Sequence, residues 1–391
     1  MRRRLRQGRV TRGLGDQPRV LHLAAYGGPY SGSFIPMLEA VQVAAHARGW
    51  GFEAVFTPGA EGHPWYGELQ EKGMRTRIGP VFGTRTATAW VRELISGHSG
   101  PQLLHTHFSY WDLPAAFAAR GRPVAVVWHL HSRLSDRLAM RARNLVRFGL
   151  VAKLVDRILC VGPEIHQKAL ARLAPRPRTE LFPNGIDTQR FSLVDPADRA
   201  AARDRLALSD DDDVLLLFAW DWETKGGPLL LDAVAELRRH GRQVIALVVG
   251  SSQEASAGAE RLGLGEIVRL VPPAEDVRAL YAAADVFVAA SAAEGFGLAV
   301  LEALSCGTPV VASDIEGHRY VGRSLPACRL APRRAADFAD AIADEMDAPP
   351  DDRESRLSRS RTMIGNKFAL DRWSERVLEL YDDLLGARDS S

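Results

Sequence analysis

Apolar residues in this chain fall in short runs, separated by longer stretches with helical spacing. Residues 20–50, VLHLAAYGGPYSGSFIPMLEAVQVAAHARGW, set the pattern. A short apolar run and a glycine-rich turn lead into Phe34, Met37, Leu38, Val41 and Ala45, which recur every three or four positions until Gly49. The pattern predicts a strand, a loop and a helix. Further apolar runs follow at GFEAVFTP, PQLLHTH, PVAVVWH, DRILCVG and ELFPNG, with helical or turn-rich stretches between them. After PNGIDTQRFSLVDP and the helical RAAARDRLAL the alternation restarts at DDDVLLLFAW and continues through QVIALVVG, IVRLVPP, DVFVAAS and TPVVASD. Short strands alternating with helices build βαβ units and parallel, doubly wound sheets, so the expected class is α/β in two halves.

At 391 residues the chain is long for one compact domain, and each half can bury its own core. The expected division is a basic disordered tail over 1–18, a first domain over 19–190 and a second over 191–369. A final helix over 370–386 carries Trp373, Val377, Tyr381 and Leu384 on one stripe and is expected to pack back toward the first domain. A content of 46% hydrophobic and 25% charged residues is ordinary for a globular protein and argues against disorder. The net charge of +2 is too small for nucleic-acid binding over the whole surface. Cys160, Cys306 and Cys328 have no metal-ligand spacing and fit a reducing compartment. The basic opening has no apolar stretch behind it, and no run is long enough to cross a membrane, so the expected location is cytoplasmic. Four aspartates at 210–213 read as a solvated turn rather than a metal site.

Residues 294–302, EGFGLAVLE, carry the candidate chemistry. DVFVAAS has the length and composition of a buried parallel strand, which puts Glu294 in the turn at its carboxyl end. Gly295 and Gly297 let backbone approach a ligand, and LAVLEALSC is helical up to Gly307. The amino end of such a helix attracts phosphate. Glu302, one turn further, can accept hydrogen bonds from the vicinal hydroxyls of a ribose, while Glu294 lies where an attached sugar would be. Taken alone, two glutamates at this spacing are also what a capped, solvated helix shows.

The full run EGFGLAVLEALSCGTPVVAS, together with GGPYSGS (27–33), HTH (105–107), WHLHS, PNGID and KGG, resembles the family 4 retaining glycosyltransferases. The resemblance extends over nearly the whole chain. It implies the GT-B architecture, two Rossmann-like domains facing a cleft, and a nucleoside-diphosphate sugar as donor. In that family the first glutamate of the motif contacts the donor sugar and the second the ribose; here these are Glu294 and Glu302. Phe296, Gly297 and Leu298 between them, with Gly27 and Gly28 of the early loop, complete the implied donor site. The matching lysine, which pairs with the diphosphate, is Lys225. Five residues earlier the family usually carries an arginine and this chain has Trp220, which either packs or stacks; Arg319, Arg323 or backbone amides are the candidates to compensate. A histidine six residues after the strand-opening proline approaches the sugar in related sequences. Counting from Pro123 gives His129, with His131 as the alternate.

The resemblance implies a hexosyltransferase-like enzyme that needs neither cofactor nor metal, with same-face attack assisted by the leaving diphosphate. The acceptor, a glycan, lipid or small molecule, is left open, as is the donor base, for which VPPAEDV (271–277) is the candidate loop. A nucleotide-sugar epimerase of the same architecture and a non-catalytic sugar-nucleotide-binding protein are the alternatives. Arg133, Arg137 and Arg141, at four-residue spacing, read either as a solvated helical face or as peripheral contact with the inner face of a membrane.

Overall fold

The computed structural model describes residues 17–81, 83–250, 252–273 and 276–389, so the expected tail over 1–18 lies almost wholly outside the described residues. Seven strands form the first sheet: Arg19–Ala24 (β1), Gly51–Phe56 (β2), Arg75–Ile78 (β3), Gln102–His107 (β4), Val124–Leu130 (β5), Arg157–Cys160 (β6) and Thr179–Leu181 (β7). Six form the second: Val214–Phe218 (β8), Ile245–Val249 (β9), Val268–Val271 (β10), Val286–Ala289 (β11), Val310–Ser313 (β12) and Cys328–Ala331 (β13). All pairings are parallel, in the orders β3-β2-β1-β4-β5-β6-β7 and β10-β9-β8-β11-β12-β13.

The central strands are covered on both faces, which is why they read as apolar runs; every residue of β4, β5, β8 and β11 is buried. Two of the four edge strands, β3 and β13, RTRI and CRLA, carry no such run, and they are only partly covered. No sequence signal marked them. In each sheet the chain reverses its winding direction once, between β1 and β4 and between β8 and β11. Crevices open beyond the carboxyl ends of strands at such points.

The helix Leu370–Asp389 packs on the first domain beside the helix Phe34–Ala47, and buries Trp373, Val377, Tyr381 and Leu384 in that domain's core. The chain therefore crosses between domains twice. The crossings touch, with the Ile186 amide donating to the Phe368 carbonyl at 2.8 Å and Ile186 bridging to Ala369. Helix Pro350–Phe368, just before the return, packs against the helix that carries Glu302.

Candidate functional site

Two neighbouring turns of the second domain bring the charged groups together. Beyond β8, Asp221 accepts the Thr224 amide at 3.0 Å and starts the short helix Trp222–Lys225. Beyond β11 the turn runs from Ser291 to Gly297, and the Ala292 amide donates to the Thr224 carbonyl at 2.8 Å, tying one turn to the other. Lys225 Nζ then reaches Glu294 Oε2 at 2.8 Å, with both side chains about three-quarters buried (29% and 25% exposed).

Gly297, with φ at +102°, takes the left-handed conformation that ends the turn and starts the helix Leu298–Cys306. No side chain among the described residues caps this helix, and its first amides are open toward the cleft. Glu302 is buried one turn along and accepts two hydroxyls: Ser33 Oγ of the first domain at 2.5 Å and the Tyr281 hydroxyl at 3.0 Å. Burial raises the Glu302 carboxyl above its ordinary value, against the opposing effect of these two hydrogen bonds and the charge of Arg190.

A cavity of about 310 Å³ lies between the domains. Tyr30, Ser33, His131, Asn184 and Arg190 line it from the first domain; Trp220, Lys225, Glu294, Phe296, Gly297, Leu298, Glu302 and His318 line it from the second. The Gly295 carbonyl of the second domain rests against Gly162 of the first, at a place where a Cβ would collide. The Tyr30 hydroxyl donates across the cleft to the Pro273 carbonyl at 3.2 Å.

Several sequence expectations shift. His129 is fully buried inside β5 and does not line the cavity; His131, the alternate, does. The strand runs on to Leu130, so the first histidine beyond its end is the later one. Gly27 and Gly28 are also absent from the cavity wall. Gly27 lies against Gly59, and the Gly28 carbonyl accepts Trp65 Nε1 at 3.0 Å, while Gly32 and Ser33 at the far end of the same loop face the cleft. Arg319 is turned to solvent and paired with Asp314, whose carboxyl it holds below its usual range; neither it nor Arg323 reaches the cavity. Trp220 lies on Phe218, ring planes 14° apart, and faces Tyr30 across the cleft with ring centroids 6.3 Å apart. Arg133 precedes its helix, which starts at Leu138, and is paired with Glu164, so the three arginines do not share a helical face. The Asp210–Asp213 run is a turn in which Asp212 accepts the Ser209 amide at 2.7 Å. Ala274 and Glu275 of the candidate base loop lie outside the described residues.

Asn184 and Arg190 were missed as site residues although PNGIDTQR, which holds both, was in view as a boundary. The buried Asn184 Oδ1 makes no hydrogen bond among the described residues. Tyr281, in RALYAA, gave no signal, because a tyrosine at that spacing reads as core.

Five histidines, His22, His105, His107, His129 and His131, line one face of the first sheet. His22 and His105 are register partners, as are His107 and His129. Burial pushes every one of them below its ordinary value, His22 and His131 to about 3. Two trios among the described residues, His22/His105/His107 and His107/His129/His131, hold ring nitrogens within 4.8 Å of one another, near enough for a metal ion. Both nitrogens of His22 and of His107 are, however, engaged in hydrogen bonds within the array.

Residues 40–190 match the model of the family described as Glycosyltransferase Family 4, and residues 213–347 match that of Glycosyl transferases group 1. The chain is 33% identical over 248 residues to a D-inositol 3-phosphate glycosyltransferase of Geodermatophilus obscurus; the alignment takes in 59% of this chain and spans 54% of that protein's length. It is 30% identical over 300 residues, 70% of each chain, to D-inositol 3-phosphate glycosyltransferase 1 of Catenulispora acidiphila. The Anabaena protein HepE, solved in complex with UDP-glucose, shares the fold with a TM-score of 0.80 at 20% identity, over 93% of this chain and 99% of that one.

Proposed function

This chain belongs to the family 4 glycosyltransferases of GT-B architecture, and from that premise we propose that it moves a sugar, with retention, from a nucleoside diphosphate to a small hydroxylated acceptor. The observation that carries the reading is the arrangement along one cavity wall. A buried carboxylate that accepts two hydroxyls, Glu302, stands at one end, and the Lys225–Glu294 pair at the other, with the uncapped helix end between them. A ribose presents such a pair of hydroxyls to Glu302. Lys225 exchanges Glu294 for the diphosphate, and Glu294 is released to hold sugar hydroxyls. Lys225 and the first amides of the helix offset the charge that grows on the leaving group, without a divalent metal. The bond from the anomeric carbon to the diphosphate oxygen breaks, the acceptor oxygen bonds to the same face, and its proton passes to the departing diphosphate. His131 approaches the sugar from the opposite domain.

A second cavity, about 460 Å³, supports the acceptor assignment. It lies in the first domain and is lined by Thr84, Ser132, Ser135 and Arg143 beside Leu113 and Met140, while the Arg133 and Arg147 guanidiniums at its wall are paired with Glu164 and Asp112. Hydroxyls beside the Arg143 guanidinium suit a polyol bearing an anionic group, consistent with the names of the two relatives. The adjacent helix Leu138–Gly149 exposes Leu138 and Val146 beside Arg141 and Arg143, which supports peripheral contact with an anionic membrane face. No helix among the described residues is long and apolar enough to cross a membrane.

Incubation of the purified protein with UDP-, GDP- and ADP-sugars, with and without inositol phosphates, tests the reading. Product formed with the donor's anomeric configuration supports it. A changed free sugar nucleotide would indicate an epimerase, and tight binding without turnover a binding protein.

A further inference from the structure

The face of the first sheet beneath the Leu370–Asp389 helix holds imidazoles where aliphatic side chains would suffice for packing. A buried imidazole is costly unless its nitrogens are paired, and here the pairing forms a line. His105 Nδ1 meets the Tyr381 hydroxyl, which meets His22 Nε2 at 3.1 Å. His22 Nδ1 meets His107 Nε2 at 2.9 Å, and His107 Nδ1 meets His131 Nε2 at 2.9 Å. His131 stands at the cavity wall. His129 is not part of the line.

The protons in this line cannot be placed independently. A neutral imidazole carries one N–H and one lone pair, and a hydroxyl has one proton. Burial keeps the rings neutral. His22 and His107 therefore each donate on one side and accept on the other, and Tyr381 does the same. With the buried Tyr381 O–H also paired within the line, all four hydrogen bonds point one way, and reversing one reverses the rest. The two directions differ at the inner end, where His105 Nε2 is buried without a partner among the described residues. If the protons point inward, His105 must carry an orphaned N–H there. If they point outward, only a lone pair goes unmet, the less costly defect.

We propose that this line fixes His131 as the Nδ1–H tautomer, a neutral hydrogen-bond donor at the cavity wall, and that Tyr381, His22 and His107 are positioning residues for it. The donor chemistry suits a lone pair on a sugar hydroxyl or ring oxygen rather than abstraction of the acceptor's proton. That use of the tautomer rests on the glycosyl-transfer reading; the tautomer itself does not.

15N NMR of the full chain labelled at histidine reads the tautomer without any substrate, and loss of one ring's signals in His131→Gln assigns them. Wild-type His131 is expected to show a protonated Nδ1 and an unprotonated Nε2. Tyr381→Phe removes the hydroxyl and keeps the ring, and is expected to turn His131 into a mixture of tautomers. With a competent donor and acceptor it should lower kcat several-fold at unchanged donor KM. His22→Gln cuts the same line one link nearer the cavity and serves if Tyr381→Phe does not fold. A wild-type His131 protonated on Nε2, or the same His131 spectrum when the line is cut, would overturn the proposal. So would stoichiometric zinc, copper or nickel in the purified protein bound through these nitrogens. Failure to find a donor or acceptor leaves the NMR result standing, so the two readings fail separately.

Discussion

The two sheets share a topology at their switch points and differ in what the central strands bury. In the second domain β8 and β11, VLLLF and VFVA, are apolar on both faces, and the polar groups sit in the turns beyond them. In the first domain β1, β4 and β5 carry His22, His105, His107 and His129 inside the strands, each at most 1% exposed. The second sheet demonstrates that the central strands of this architecture stand on apolar residues alone. The histidines are therefore surplus to folding, and burying them leaves the first domain with a sensitivity that the second sheet lacks.

Acid should expose that difference most strongly. The folded-state values of these four histidines lie below the ordinary 6.5, so the unfolded chain binds more protons and stability falls as pH drops below 6.5. Each contributes a slope approaching roughly 1.4 kcal/mol per pH unit. Hydrogen exchange at pH 7 and pH 5 should show β1, β4 and β5 losing protection before β8 and β11; equal loss in both sheets would remove the distinction.

The remaining tests sharpen the second domain's side of the comparison. Lys225→Ala and Glu294→Gln should each lower turnover by about a hundredfold, the scale of one lost transition-state contact, with little change in Tm. Glu294→Gln should leave affinity for the bare nucleoside diphosphate nearly intact, and calorimetry on the same variant checks it. Equal loss of diphosphate affinity and of thermal stability would return Glu294 to a structural role. Glu302→Ala should weaken binding of the donor and of the bare nucleotide alike, by roughly 1.5–3 kcal/mol for each charge-assisted hydrogen bond lost. Arg319→Ala, at an exposed position away from the cavity, should change stability by less than about 0.5 kcal/mol and leave turnover unaltered.

The second-domain site was legible because it is nearly contiguous. EGFGLAVLE spans one turn and one helix, so spacing along the chain becomes spacing in the cavity. Lys225 was reachable because its turn follows the strand next door. The first-domain side is built from single residues on separate strands, with Tyr381 arriving from the far end of the chain, and no local pattern announces that assembly. His129 and His131 lie two apart on the same face, so periodicity could not separate them; where the strand ends does. In the early glycine loop the Gly27 end packs against a neighbouring turn while the Ser33 end meets Glu302. Trp220, left between packing and stacking, lies on Phe218 and faces Tyr30 while staying half exposed. The two missed strands are both edge strands, RTRI and CRLA; the other two edges, β7 and β10, were found from ELFPNG and IVRLVPP.

The double crossing also sets an order of events at the ribosome. Translation delivers residues in sequence, and domains tend to fold as their segments emerge. The first domain holds residues 19–181 early, yet its core stays open until Trp373, Val377, Tyr381 and Leu384 have been made. In the interval the imidazoles of β1 and β4 face nascent-chain surroundings rather than a tyrosine. The second domain, which draws its last packing helix from Pro350–Phe368, has all its parts sooner. The half that is synthesised first is thus completed last, by the segment that also closes the histidine line.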